Sequence, residues 1–156
     1  MKAVIVMGSK SDLDYGRKVA EKLRFFGIES VLRIASAHKT PEKALEILKE
    51  YESEDAVFVT VAGRSNALSG FVDANTTKPV IASPPVSERF AGMDVLSSIN
   101  MPSGVAPMLV LYAENAALAV AKIFAIKSEE VRQKVAEYQN AKKEEIYRAD
   151  EEAKSL

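Results

Sequence analysis

Short runs rich in β-branched and apolar residues alternate along this chain with longer segments whose apolar positions recur every three or four residues. Ala3–Met7 carries Val4, Ile5 and Val6 without a polar break and stops at Gly8, the pattern of a strand buried on both faces of a parallel sheet. Further strands are predicted at Ser30–Ile34, Ala56–Ala62, Pro79–Ser83 and Met108–Tyr112. Between them lie helical patterns. Leu13–Phe26 has Val19, Ala20, Leu23 and Phe26 on one side and ends at Gly27, and Pro41–Tyr51 has Ala44, Leu45, Leu48 and Tyr51. A short helix covers Ala67–Ala74, and an alanine-rich helix covers Glu114–Ile126. From Ser128 a long charged helix begins, with Val131, Val135 and Tyr138 on one face, and fades into a solvated tail. That stripe is expected to pack on a neighbouring subunit, the alternative being a solvated surface helix. Val86 to about Pro107 has no strong period beyond one helical turn near Val95–Ile99. A stretch of that length is usually functional or disordered, and its apolar content argues against disorder.

Strand–helix alternation implies an α/β fold with a doubly wound, five-stranded parallel sheet and right-handed crossovers. At 156 residues the chain reads as one domain, residues 1–156, with 128–156 as a C-terminal helical extension.

Composition narrows the function. The chain holds 21 Lys and Arg against 22 Asp and Glu, a net charge of −1, so it lacks the basic footprint of a nucleic-acid or acidic-membrane binder. There is no cysteine and only one histidine, which argues against disulfides, thiolate nucleophiles and a transition-metal centre. The apolar N-terminal run is too short for a signal peptide, and no window approaches ~20 apolar residues, so a cytoplasmic protein is expected.

In an open parallel sheet, ligands bind outside the carboxyl ends of the strands. Three polar loops fall there. In Gly8–Asp12 the glycine permits close backbone approach, Ser9 and Ser11 offer donors to a phosphate, and Asp12 could accept from ribose hydroxyls. Neither a Walker loop nor a three-glycine dinucleotide fingerprint is present. The second loop, Ser36-Ala37-His38-Lys39-Thr40-Pro41, contains the lone histidine, the only side-chain type here that titrates near neutrality unaided, beside the cation of Lys39. The third, Ala62-Gly63-Arg64-Ser65-Asn66, sets a glycine, a guanidinium and a run of amides before a helix, a cradle for an oxyanion or carboxylate. Structural alternatives exist for each: Ser11 or Asp12 capping one helix, Thr40 capping the next, and a serine or asparagine capping the third.

Val6-Met7-Gly8-Ser9-Lys10-Ser11-Asp12, Ser36-Ala37-His38-Lys39-Thr40-Pro41 and Met101-Pro102-Ser103-Gly104 stand in the order and spacing of the PurE family of purine biosynthesis, which the chain resembles over about residues 3 to 126. One branch of that family isomerises N5-carboxyaminoimidazole ribonucleotide. The other carboxylates aminoimidazole ribonucleotide directly with CO2. Lys39 after the histidine, a third loop without a further histidine, Ser83-Pro84-Pro85 and Asp94-Val95-Leu96-Ser97-Ser98 resemble the direct carboxylase branch, class II. The resemblance implies a flavodoxin-like three-layer sandwich, an octamer in which C-terminal helices reach neighbouring subunits, and no cofactor. It also implies that Ser9, Ser11 and Asp12 hold the ribose phosphate, with Ser36 and Lys39 adding contacts to the ribonucleotide or its carboxyl group. Gly63, Arg64, Ser65 and Asn66 would form the CO2 or carboxylate pocket, and His38 would be the general acid/base. Alternatives are the mutase activity and, on a flavodoxin-like sheet, a non-catalytic nucleotide-binding module.

Overall fold

A computed structural model of the chain describes residues 1–155. Five parallel strands, β1 (Lys2–Met7), β2 (Glu29–Ile34), β3 (Ala56–Val61), β4 (Val80–Ala82) and β5 (Met108–Leu109), form one sheet in the order β2-β1-β3-β4-β5. Helices α1 (Leu13–Phe25), α2 (Pro41–Glu50), α3 (Ala67–Ala74), α4 (Ala113–Ala125) and α5 (Glu129–Lys154) complete the fold. The predicted α/β class, strand number and parallel pairing hold, and the strand order is the flavodoxin-like one.

The alternation of side chains along a strand explains the three layers. Ala3, Ile5 and Met7 of β1 join Val57, Val59 and Val61 of β3 in a core closed by α1, α4 and α5. Val4 and Val6 point the other way, joining Ala56 and Phe58 in a core closed by α2 and α3. Phe26, Phe58 and Phe124 are among the largest fully covered side chains. Burying each contributes about 1.5–3 kcal/mol. Gly16 lets α1 lie close on the sheet, because a Cβ there would come within 2.5 Å of Met7 Sδ.

Two expectations change. The fifth strand is only two residues long rather than Met108–Tyr112, although Val110 N still donates to Ala82 O at 2.9 Å. Its extended run ends because Tyr112 turns with φ +68 into α4. The other correction concerns the stripe of Val131, Val135 and Tyr138, which serves the chain's own core instead of a neighbouring subunit. Ser128 N donates back to Phe124 O, and the Ser128 hydroxyl caps α5 by accepting from Val131 N at 3.3 Å, so the chain doubles back on α4. Val131 and Val135 are thereby buried beside Leu23 and Phe124. The Tyr138 ring stands edge-on to Phe25 and Phe26, with centroids 6.0 and 5.6 Å away. From Gln139 to Ser155 every residue of the same helix and its cap is exposed. No helix among the described residues is long and apolar enough to cross a membrane.

Candidate active site

The three polar loops share one root. Gly8 N donates to Val61 O at 2.9 Å, and Ala35 N donates to Met7 O at 3.0 Å. The loop after β1 is therefore flanked directly by those after β2 and β3. With neighbouring strands about 4.8 Å apart, the roots of the outer two lie about 10 Å from each other. Strand order reverses at β1, so the first and third loops straddle the switch point where such sheets bind ligands. Contact there is close: a Cβ on Gly8 would meet Ala62 Cβ at 3.2 Å.

In the first loop the three residues expected to bind phosphate and ribose are tied to one another. Ser9 Oγ donates to Asp12 Oδ2 at 2.8 Å, which leaves Ser11 Oγ to donate to Ser9 Oγ at 2.6 Å. Lys10–Asp12 form a 3₁₀ turn, and neither Ser11 nor Asp12 caps α1 through its side chain. The hydroxyls are thus gathered at one point instead of being spent on the helix.

The second loop closes on itself. Ser36 N donates to Thr40 Oγ1 at 3.0 Å, Thr40 N to Ser36 O at 2.9 Å, and Lys39 N to Ser36 Oγ at 3.3 Å. Thr40 therefore clasps the loop and does not cap α2, which opens on Pro41 without a side-chain cap. His38 stands at the apex, exposed and without a side-chain hydrogen bond among the described residues, next to the exposed Lys39.

The third loop is fastened from outside by a segment without regular periodicity in the sequence. Residues Arg89–Ser98 form 3₁₀ turns broken at Phe90, Ala91 and Gly92, all three with positive φ. The one hydroxyl proton of Ser97 is shared between the carbonyls of Asp94 at 2.7 Å and of Arg64, itself at φ +60, at 2.9 Å, and Ser97 Oγ accepts from Asn66 N at 2.9 Å. Asn66 Nδ2 donates to the buried Ser98 hydroxyl at 2.9 Å, and Asn66 Oδ1 caps α3 by accepting from Ser69 N at 3.2 Å. Asp94 accepts from Ser87 Oγ at 2.7 Å. A cavity of about 80 Å³ results, walled by Ala62, Gly63, Pro84, Pro85, Val95 and Leu111. Arg64 and Ser65 also face a wider, open concavity of about 310 Å³ beside Arg89 and Phe90.

Asn66, expected at the carboxylate pocket, is among the residues lining the smaller cavity. It is buried with its amide N–H and both ends of its side chain engaged, so it also holds the loop in shape. The amides of Gly63, Arg64 and Ser65 remain without a partner among the described residues. Asn66→Ala should cost about 2 kcal/mol, from the lost cap and the stranded Ser98 hydroxyl. A lowered urea midpoint at unchanged m-value checks this, and a wild-type midpoint would contradict it.

Neither cavity is lined by Ser9, Ser11, Asp12, Ser36, His38 or Lys39. The site has two parts: an open ledge bearing hydroxyls and the histidine, and an enclosed recess behind the third loop. Lys10, Lys39, Arg64 and Arg89 make no salt bridge among the described residues, so this edge offers free cations to an anion. The fastening serines 87, 97 and 98 and Asp94 were not candidates on sequence grounds. Their signal was small polar residues interrupting an apolar, irregular stretch.

Comparison with known proteins bears on this arrangement. A family model described as AIR carboxylase matches residues 2–145. The chain is 75% identical over 154 residues to a phosphoribosylaminoimidazole carboxylase of Archaeoglobus fulgidus, covering 99% of this chain and 86% of that one. It is 53% identical over 114 residues to a protein of the same name from Treponema denticola, covering 72% of each. The crystal structure of Treponema denticola PurE superimposes with a TM-score of 0.94 at 46% identity, covering 97% of both chains.

Proposed function

The chain belongs to the AIR carboxylase family, and from that membership we propose how its residues divide the work. The protein carboxylates 5-aminoimidazole ribonucleotide with CO2 to 4-carboxy-5-aminoimidazole ribonucleotide in purine biosynthesis. The observation that carries this reading is the 75% identity, over nearly the whole chain, to a relative named for that activity.

Ser9 and Ser11 turn their gathered hydroxyls to the substrate phosphate, with the cations of this edge nearby. Asp12, an acceptor only, takes the ribose hydroxyls. CO2 enters the recess behind the third loop, where the free amides of Gly63, Arg64 and Ser65 face the carboxylate as charge develops on it. Lys39 and Ser36 border the other side of the nucleotide, and Asn66 contributes by holding the third loop in shape.

The aminoimidazole ring is electron-rich, so its carbon 4 attacks CO2 without a protein nucleophile, forming the carbon–carbon bond. The attacked carbon becomes tetrahedral and still carries its hydrogen. His38 removes that proton, the C–H electron pair returns to the ring, and aromaticity is restored. In reverse, His38 protonates the carbon and CO2 leaves. Alignment of ring and gas supplies several kcal/mol of the barrier reduction, about 7 or more in favourable cases.

We further propose that the working unit is a homo-oligomer, octameric as the family resemblance implies. Support comes from the apolar side chains left open around the recess: Val86, Phe90, Met93, Leu96 and Ile99 are all more than half exposed on one segment. A monomer seldom leaves so many large apolar side chains of one short segment in water. Cytoplasmic location belongs to the same proposal, since both reactants are small metabolites dissolved there.

The test is formation of the carboxylated nucleotide from 5-aminoimidazole ribonucleotide and dissolved CO2 without ATP. Saturable turnover is expected. Turnover confined to the N5-carboxylated nucleotide, with CO2 stripped away, would make the enzyme a mutase, and no turnover of either substrate would leave a binding module.

A further inference from the structure

One hydroxyl outside the three loops reaches the walls of the recess. Tyr15 lies one turn into α1, the helix that opens from the first loop, and the close approach allowed by Gly16 brings it over the sheet. Its hydroxyl is 2.9 Å from Ser83 Oγ. Ser83 is fully buried just past β4, its N–H donating to Thr60 O at 2.9 Å, and the next two residues are Pro84 and Pro85 of the recess wall. The main chain of Tyr112 approaches the same phenol oxygen, directly after Leu111 of the opposite wall. Burial raises the Tyr15 hydroxyl above the usual tyrosine range, so it stays a neutral hydrogen-bonding group at any working pH.

Neither proline has an N–H with which to anchor the wall, and Tyr112 sits in a positive-φ conformation that costs a non-glycine residue energy. The wall that follows Ser83 thus leans on a side-chain contact that the reaction itself does not use. We propose that Tyr15 is a positioning residue for carboxylation, setting the width of the recess through its bond to Ser83 while touching neither substrate. This rests on the reading that the recess receives CO2. Its consequence is selective: loosening the wall should weaken CO2 capture and leave the ribonucleotide ledge unaltered.

The experiment is steady-state kinetics of the full chain with each substrate varied in turn, for wild type, Tyr15→Phe, Ser83→Ala and the double variant. In Tyr15→Phe the half-saturating CO2 concentration should rise about five- to tenfold, the effect of one lost hydrogen bond. The KM for 5-aminoimidazole ribonucleotide should stay within about twofold of wild type. Ser83→Ala should shift the same parameter, and the double variant should be no worse than the weaker single one, because the two side chains make one bond. An unchanged CO2 dependence in both single variants, an equal rise in both half-saturation values, or additive losses would overturn the assignment. If Tyr15→Phe does not fold, Ser83→Ala alone decides. A wild-type enzyme that fails to carboxylate would remove the underlying reading, whereas an active wild type with an indifferent Tyr15→Phe would remove only this inference.

Discussion

His38→Asn is expected to lower turnover by about 10²- to 10⁴-fold, the usual range for losing a positioned general acid/base. Binding of 5-aminoimidazole ribonucleotide should stay within about twofold. The prediction is sharp because the loop does not depend on the imidazole: Ser36 and Thr40 close it with their own backbone and hydroxyl groups, and the ring is exposed. Asparagine is polar and of similar size, and its amide does not titrate near neutrality. Circular dichroism should be unchanged, and single-turnover kinetics should locate the loss in the chemical step. A variant that turns over at near wild-type rate would remove His38 from the proton transfer and turn attention to water on the same ledge.

The other large effect concerns α5. A chain ending at Lys127 should fail to accumulate as folded protein, whereas one ending at Asn140 should retain its fold. Val131, Val135 and Tyr138 cover one side of the core formed by α1, α4 and the sheet. Removing them forfeits about 5 kcal/mol of apolar burial, at roughly 1.5–3 kcal/mol per large side chain. That is comparable to the whole stability of a domain this size, about 5–15 kcal/mol. Gln139 to Ser155 are exposed and contribute nothing to the same core. Urea unfolding and light scattering on the two truncations separate the possibilities. If the chain ending at Asn140 also loses its fold, or falls from oligomer to monomer, the distal half of the helix is an assembly element. If the chain ending at Lys127 folds normally, the role assigned to its three residues is wrong.

The same helix shows where sequence reading stops. The stripe of Val131, Val135 and Tyr138 is plain in the sequence, but a periodic apolar face does not say which surface it will meet. The answer lies in the tight turn at Ile126–Ser128, a tertiary fact. Elsewhere the reading was good wherever a local signal existed. Continuous β-branched runs marked β1 and β3 because both faces of a central parallel strand are buried. Gly8, the histidine loop and Gly63 marked the carboxyl edge because turns and anion sites share a chemistry. The structural part of Asn66, which lines the recess and also caps α3, was not legible, since a capping asparagine and a ligand-binding one look alike until burial is known. Residues Arg89–Ser98 were opaque because three consecutive positive-φ residues and a set of serine bonds leave no periodicity to detect.

β1 also acts as a ruler. Its odd residues serve one core and its even residues the other, and its last carbonyl and the next amide hold the roots of both neighbouring loops. Sliding this strand by one position would exchange the faces of Ala3, Ile5 and Met7 with those of Val4 and Val6. The same slip would carry Gly8 away from Ala62 and part the hydroxyl ledge from the recess. An error in folding is therefore an error in catalytic geometry of the same size. A population of this protein should contain fully competent molecules and inert ones, with few partly active forms between them.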